Sequence, residues 1–243
     1  MPRVAHLKRR LVEGVRIGRW VVGRYPPIDS LAYHLRNLIF RLELTTVIDV
    51  GAHHGEYGRM LRRDVRFSGV IYSFEPASAA YAELAALSRN DPAWHAWNVG
   101  LGTEAGEQLL HQFDASELNS LREPTAASLD NHPGMRAAGA ETVAVSRLDD
   151  FTDINVEPSE RILLKVDAQG ADLDVLRGAH GIMPMVLAVQ VEAPMRGLYR
   201  GQPSFEEVLG FLRSAGFTPT GVFPVGRARD LGLVDVDVVA VRP

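Results

Sequence analysis

Residues 45–61, TTVIDVGAHHGEYGRML, pass from a β-branched apolar run, through a glycine-bracketed polar turn, into a helical pattern. TTVIDV reads as a strand buried on both faces of a parallel sheet, and EYGRMLRRD, from Glu56, as the helix that follows. Between them Gly51 and Gly55 enclose Ala52, His53 and His54. Glycine permits backbone angles closed to other residues and lets a ligand approach the chain, while the start of the helix offers free N–H groups. Strand-to-helix turns also need glycine for geometry alone, so this spacing by itself leaves a cofactor loop and a plain turn both open.

The alternation continues outward. GVIYSFEP and AWHAWNVGLG read as the second and third strands, with SAAYAELAALSRN as the helix between them. EQLLHQF and TVAVSRL are further strands flanking a polar stretch from Asp114 to Ala140, whose length suggests a lid or binding loop. RILLKVDAQG and VLAVQVEA are apolar enough for the centre of a parallel sheet, joined by a crossover helix, ADLDVLRGAH, ending near Gly178. A late helix, SFEEVLGFLRSAGF, has Ser204 as its cap and Gly216 as its stop. TPTGVFPV and LVDVDVVAV close the chain as an antiparallel pair. The pattern predicts an α/β fold, a mostly parallel open sheet with helices on both faces and an antiparallel pair of strands at its end.

The whole chain sets bounds on function. Its 243 residues suit one large domain, and its net charge of −4 speaks against a whole-surface nucleic-acid binder. With no cysteine, disulfides and thiolate metal sites are excluded. No apolar run reaches the ~20 residues that span a bilayer, and no secretory signal is expected at the start. The organisation expected is an N-terminal helical segment over 1–44 followed by one domain over 45–243. Within the first segment Val4, Leu7, Leu11 and Val15 recur at helical spacing among Lys8, Arg9, Arg10, Arg16 and Arg19. That spacing predicts a basic amphipathic helix, either docked with its arginines solvated or touching an anionic membrane peripherally. A cytoplasmic location is the expectation. Ser30 or Asp29 is expected to cap a second helix through Leu42.

In an open α/β sheet, ligands settle beyond the carboxyl ends of the strands. Gly51 to Gly55 ends the first strand there, and Glu75 ends the second. A carboxylate so placed can accept both hydroxyls of an adenosine ribose. His53 stands where a dinucleotide fingerprint needs its middle glycine, so no pyrophosphate cradle is offered. S-adenosylmethionine has no pyrophosphate, and its sulfonium suits a loop flanked by Asp49. Asp167 and Glu192 end two later strands; as neighbours, their carboxylates would meet over one cleft. They could act as a general base and a second acid that raises its pKa, as ligands of Mg²⁺, or as plain hydrogen-bond partners. His53 and His54 are alternative bases. Asp172 and Asp174 read as acids in a first helical turn, favourable to its dipole. Arg196, Tyr199 and Arg200 fall on a second edge loop that could meet a sugar.

Taken in order, VIDVGAHHGEYGRML, SFEPASAAYAEL, WNVGLGTEAGEQLLH, NSL, SRLDDF, ILLKVDAQGADLDVLRGA and VQVEAP resemble the FkbM family of S-adenosylmethionine-dependent O-methyltransferases. The likeness runs from about Thr45 to about Phe217. It implies a Rossmann-like class I methyltransferase fold and methyl transfer to a hydroxyl of a sugar, polyketide or glycolipid-type acceptor. It also implies cofactor roles for Asp49, Gly51, His53, Gly55, Glu75 and Pro76, with Asn98 near the adenine edge and Asn119 and Ser120 towards the acceptor. Asp167 and Gly170 match a stretch the family usually writes Lys-x-Asp-x-Glu-Gly; here Gln169 stands in place of the glutamate. That lost charge motivates a second reading, a non-enzymatic cofactor-binding protein with an assembly or regulatory role. A nucleic-acid methyltransferase is the third.

Overall fold

The computed structural model describes residues 15–17, 20–22, 29–132, 134–154, 156–228 and 231–242. β1 (Val15–Ile17) and β2 (Trp20–Val22) pair antiparallel as a short hairpin. The helical spacing read through Val15 therefore does not continue into a helix there; a β-branched run carrying Trp20 favours extended backbone. The rest of that expected basic helix, Val4 to Leu11, lies outside the described residues.

α1 (Leu31–Leu42) starts at Ser30, whose hydroxyl accepts from the Tyr33 N–H. Leu35 and Leu38 of α1 are buried against Val47 and Ile71, so the boundary expected at residue 44 falls between a helix and the sheet it covers. The central sheet contains β3 (Thr46–Val50), β4 (Val70–Phe74), β5 (Trp94–Trp97), β9 (Ile162–Val166), β10 (Val186–Pro194), β11 (Thr218–Pro224) and β12 (Asp235–Val241). Its order is β11-β12-β10-β9-β3-β4-β5. β5, β4, β3, β9 and β10 run parallel, and β12 lies antiparallel between β10 and β11. β3 and β9 are buried along their full length, as their unbroken apolar runs predict.

Helices cover both faces. α1 and α2 (Glu56–Met60), continued by a π-helical turn over Leu61–Val65, cover one face together with Leu84 of α3 (Ser78–Ser88). α5 (Asp172–Arg177) and α6 (Phe205–Ser214) cover the other. Ser204 and Glu207 form a reciprocal capping box at the start of α6, and Gly216, at φ 84°, follows its end.

AWHAWNVGLG, read as one strand, divides in two. β5 stays in the central sheet, while β6 (Gly100–Leu101) joins β7 (Gly106–Phe113) and β8 (Ala137–Ser146) in a separate sheet of order β6-β8-β7. The stretch between β7 and β8 is not structureless among its described residues. It carries a 3₁₀ turn over Ser116–Leu118 and α4 (Ala126–Asn131), capped by Thr125.

The chain order reverses between β3 and β9: β4 and β5 grow out from one side, β9 and β10 from the other. A crevice opens at the carboxyl ends of the strands at such a point. β12 runs against its neighbours, so its first residues, Asp235 and Asp237, arrive at that same edge opposite Pro194 and Glu192.

Candidate active site

A cavity of about 400 Å³ fills this crevice, in the range typical of small-molecule sites. Its lining follows the strand order. Glu75, Pro76, Val99, Gly100 and Leu101 lie at the β4–β5 side; Gly51, Ala52, His53, Asp167 and Gln169 in the middle; Gln190, Glu192 and Asp237 at the β10–β12 side. Ser116, Glu117, Asn119 and Leu121 close it from the β7–β8 connection, which thus covers the cleft as a lid would.

The glycine turn answers first to packing. At Gly51 the backbone takes φ 71°, and a Cβ there would sit 1.8 Å from the Asp167 carbonyl oxygen. At Gly55, φ 83°, a Cβ would press on Leu87, Leu84 and Trp94 at 3.0–3.3 Å. Both glycines let neighbouring elements close on the turn, and the turn's backbone is thereby laid along the cavity wall. His53 also holds a left-handed backbone, φ 48°, and its N–H donates to Glu75 Oε2 at 2.8 Å. Glu75 Oε1 accepts from the Ala77 N–H at 2.9 Å. Glu75 is 6% exposed, and burial raises its pKa against the pull of these two N–H donors. Each of its oxygens keeps lone-pair capacity towards the cavity.

Four expected site residues, Asp49, His54, Gly55 and Asn98, do not line the cavity. Asp49 is fully buried and does not line the cavity; its Oδ1 is 3.1 Å from Lys165 Nζ, and its Oδ2 accepts from Ser73 Oγ at 3.3 Å. An aspartate one residue before the strand end points into the sheet's packing, where it needs a cation. Asn98 donates to the Glu75 and Pro76 carbonyls at 3.0 and 2.8 Å, bracing the turn rather than reaching the cavity. His54 turns outward, its Nδ1 3.4 Å from Glu83, and does not line the cavity either. His53 does, with Nε2 2.9 Å from Ser116 Oγ; burial, then His54, lowers its pKa.

Lys165 sits in an apolar strand, where the sequence pattern gives no sign of a site residue. It is buried, donates to the Val50 and Gly51 carbonyls at 3.2 and 2.8 Å, and lies 3.8 Å from Asp167 Oδ2. Burial lowers its pKa, but Asp49 and then Asp167 more than offset this and hold the ammonium above its usual range. The lysine thereby ties β9 to the glycine turn.

β9 and β10 are adjacent and parallel, so Asp167 and Glu192 do meet. Gln169 stands between them: its Nε2 donates to Asp167 Oδ1 and Glu192 Oε2, both at 2.9 Å. Its Oε1 lies 2.9 Å from the Tyr199 hydroxyl, which is also 2.7 Å from the Leu118 carbonyl. Gln169 has a left-handed backbone, φ 46°, whose carbonyl accepts from Ser120 Oγ at 2.6 Å. Burial, then Asp167, holds the Glu192 pKa well above the carboxylate range. Asp172 accepts from the Ala168 and Gly170 N–H groups at 2.8 and 3.0 Å, and burial pushes it to about 7. It holds the 168–170 turn. Asp174 pairs with Arg122 at 2.5 Å. Of the edge loop, Tyr199 is buried beside Gln169, while Arg200 pairs with Glu123 at 3.2 Å on the surface.

Two acids on β12 join the site without a motif to mark them. Asp237 lines the cavity directly across from Glu192, and burial raises it to about 6; Asp235, raised by burial and then Asp167, reaches about 7. Even so, among the described residues no three His, Asp or Glu side chains converge closely enough to hold a metal ion, and the Gln169 amide occupies the space between Asp167 and Glu192.

Among proteins of known activity, the chain is 26% identical over 226 residues to the 2-O-methyltransferase NoeI of Sinorhizobium fredii (strain NBRC 101917 / NGR234), covering 89% of this chain and 90% of that one. The crystal structure of the methyltransferase FkbM from Methylobacillus flagellatus KT superposes with a TM-score of 0.50 at 14% identity, over 81% of this chain. The chain spans only 44% of that protein's length. That likeness and the strand order, with β12 reversed beside β10, give the class I methyltransferase-like fold. A sequence model of the methyltransferase FkbM domain matches residues 49–219, most of the chain and the whole run from the glycine turn to β11. The protein belongs to the FkbM family of S-adenosylmethionine-dependent methyltransferases.

Proposed function

We propose that this methyltransferase acts on oxygen, at a hydroxyl of a sugar, glycolipid or polyketide-type acceptor. The observation that carries the reading is the meeting of Asp167 and Glu192 at the ends of adjacent strands, in the same cavity as Glu75. Kinship with a 2-O-methyltransferase supports it.

The residues present fit an adenosine at the β4 side. Glu75 has lone pairs for two ribose hydroxyls, and Pro76, Val99 and Leu101 give an apolar wall beside it. S-adenosylmethionine, when bound, supplies a methyl group made electrophilic by its sulfonium. Asp167, on the strand next to the glycine turn, receives the proton of the attacking hydroxyl, a weak nucleophile that needs a base. Glu192 orients that hydroxyl, since in-line transfer depends on alignment. Gln169 fits a working site: a neutral amide donating to both carboxylates fixes their rotamers without adding a third negative charge. No metal ion enters this scheme.

Incubation with labelled S-adenosylmethionine and cell-extracted glycans, followed by mass spectrometry, tests the reading. The expected product is an O-methyl ether, lost in Asp167→Asn. Methylation confined to nitrogen or carbon, or none on any hydroxyl acceptor, contradicts it.

A further inference from the structure

The side-chain donors of Lys165, Gln169, Tyr199 and Tyr57 at the β9–β12 end of the cavity are already engaged. The Lys165 ammonium faces the Val50 and Gly51 carbonyls and Asp49. Both N–H groups of the Gln169 amide point at carboxylates, and the Tyr199 hydroxyl faces Leu118 and Gln169. Tyr57 donates to Gln190 Oε1 at 2.8 Å, which aims the Gln190 amide nitrogen at Asp237. What remains facing the cavity is a set of oxygens on Asp167, Glu192 and Asp237, rimmed by apolar Leu31, Met60 and Val225.

Glu192 and Asp237 are direct partners across the antiparallel β10–β12 pair. Like charges directly opposite on one face of a sheet are destabilising. The fold brings them together through the reversed last strand and leaves both on the cavity wall rather than in solvent. Asp167, Asp172 and Asp235 add negative charge from β9, α5 and β12, and all of them raise the Glu192 pKa. The nearest cation, Lys165, faces Asp49 at 3.1 Å and Asp167 at 3.8 Å, and among the described residues Glu192 and Asp237 have no ion-pair partner. The described carboxylates are not spaced to chelate a metal ion. A ligand group that brings its own hydrogens and positive charge relieves both the unmet acceptors and the repulsion.

From this hydrogen-bond inventory we infer that the acceptor is a polyhydroxylated molecule bearing an ammonium group, such as an amino sugar, with that group lodged between Glu192 and Asp237. The inference rests on the methyltransferase reading of the same cavity. An anionic acceptor, such as a uronic acid or a sugar phosphate, is disfavoured there because, among the described residues, it meets carboxyl groups and no free cation at this end.

The test uses the full chain loaded with S-adenosylhomocysteine, whose binding is measured first by calorimetry. The methyl glycosides of glucosamine, glucose and glucuronic acid are then titrated by ligand-observed NMR. The glucosamine derivative is expected to bind at least about tenfold more tightly than the glucose derivative, with the glucuronide weakest, as one added charge pair in a partly buried site implies. Asp237→Asn and, separately, Glu192→Gln are each expected to remove most of that preference while S-adenosylhomocysteine still binds. Equal binding of the glucuronide, a glucosamine preference no greater than twofold, binding of none of the three, or an unchanged preference in both variants overturns the inference. Failure of S-adenosylhomocysteine to bind is a separate result; it removes the methyltransferase reading and the inference with it.

Discussion

The two ends of the cavity are built on opposite plans. The β3–β4 end is local and neutral in its demands: one turn, residues 51–55, packs its glycines against neighbouring chain and passes a backbone N–H to Glu75, 22 residues on. The β9–β12 end gathers Asp167, Gln169, Glu192 and Asp237 from three strands, the last reached only after the chain has reversed. One end fixes its carboxylate with backbone donors. At the other, burial and neighbouring acids push the carboxyl pKa values up. The first is suited to holding a constant ligand, the second to discriminating between variable ones.

The sharpest way to break this contrast is Gly51→Val. A Cβ cannot coexist with the Asp167 carbonyl 1.8 Å away, and φ 71° excludes a β-branched residue. Urea unfolding is expected to show a loss of more than about 3 kcal/mol, together with lost cofactor binding. Unchanged stability would mean that the turn is not held by packing. Glu75→Ala comes next. It strands the His53 and Ala77 N–H groups, at about 1–3 kcal/mol each, and removes the ribose acceptor. Calorimetry should find S-adenosylmethionine affinity down by about a hundredfold or more, with Glu75→Gln in between.

The opposite end shows itself in pH dependence. Asp172, Asp235 and Asp237 are raised from the ordinary 3.8 to about 7, about 7 and about 6. Between those limits the native state binds more protons than the unfolded chain. Their contribution is therefore complete below pH ~4 and is lost as pH rises through 6 to 7. Unfolding in urea should show greater stability at pH 5 than at pH 8, and Asp237→Asn should flatten the slope. A rise towards pH 8 would contradict the account of this end. The smallest effect separates the two histidines. His54→Ala, outside the cavity, should change stability and cofactor affinity by less than about 0.5 kcal/mol. His53→Ala loses the bond to Ser116, and its affinity should fall severalfold.

This contrast also explains what could be read in the sequence. Apolar runs such as RILLKV and VLAVQV declare buried parallel strands, and a glycine turn followed by FEP lies in contiguous letters, so the sheet and the Glu75 end were legible. Asp237 was not. In LVDVDVVAV its acids alternate with valines, the pattern of a strand with one face in solvent, and only the antiparallel placement of β12 turns that face onto a cavity. Lys165 was hidden because its partners, Asp49 and two carbonyls of the glycine turn, are more than a hundred residues away. For Asp49 and Asn98, position at a strand end suggests contact with a ligand but does not say which way a side chain turns. Both instead support the residues that line the wall.

The claim beneath all of this is that one cavity serves both ends, with Glu75 and Glu192 three strand spacings apart, about 14 Å at ~4.8 Å each. A crystal structure of the protein with S-adenosylhomocysteine tests it directly. The account predicts ribose hydroxyls within hydrogen-bond distance of Glu75 and the sulfur turned towards Asp167. A ligand bound elsewhere, or lying in the cavity with its ribose at Glu192, would contradict it.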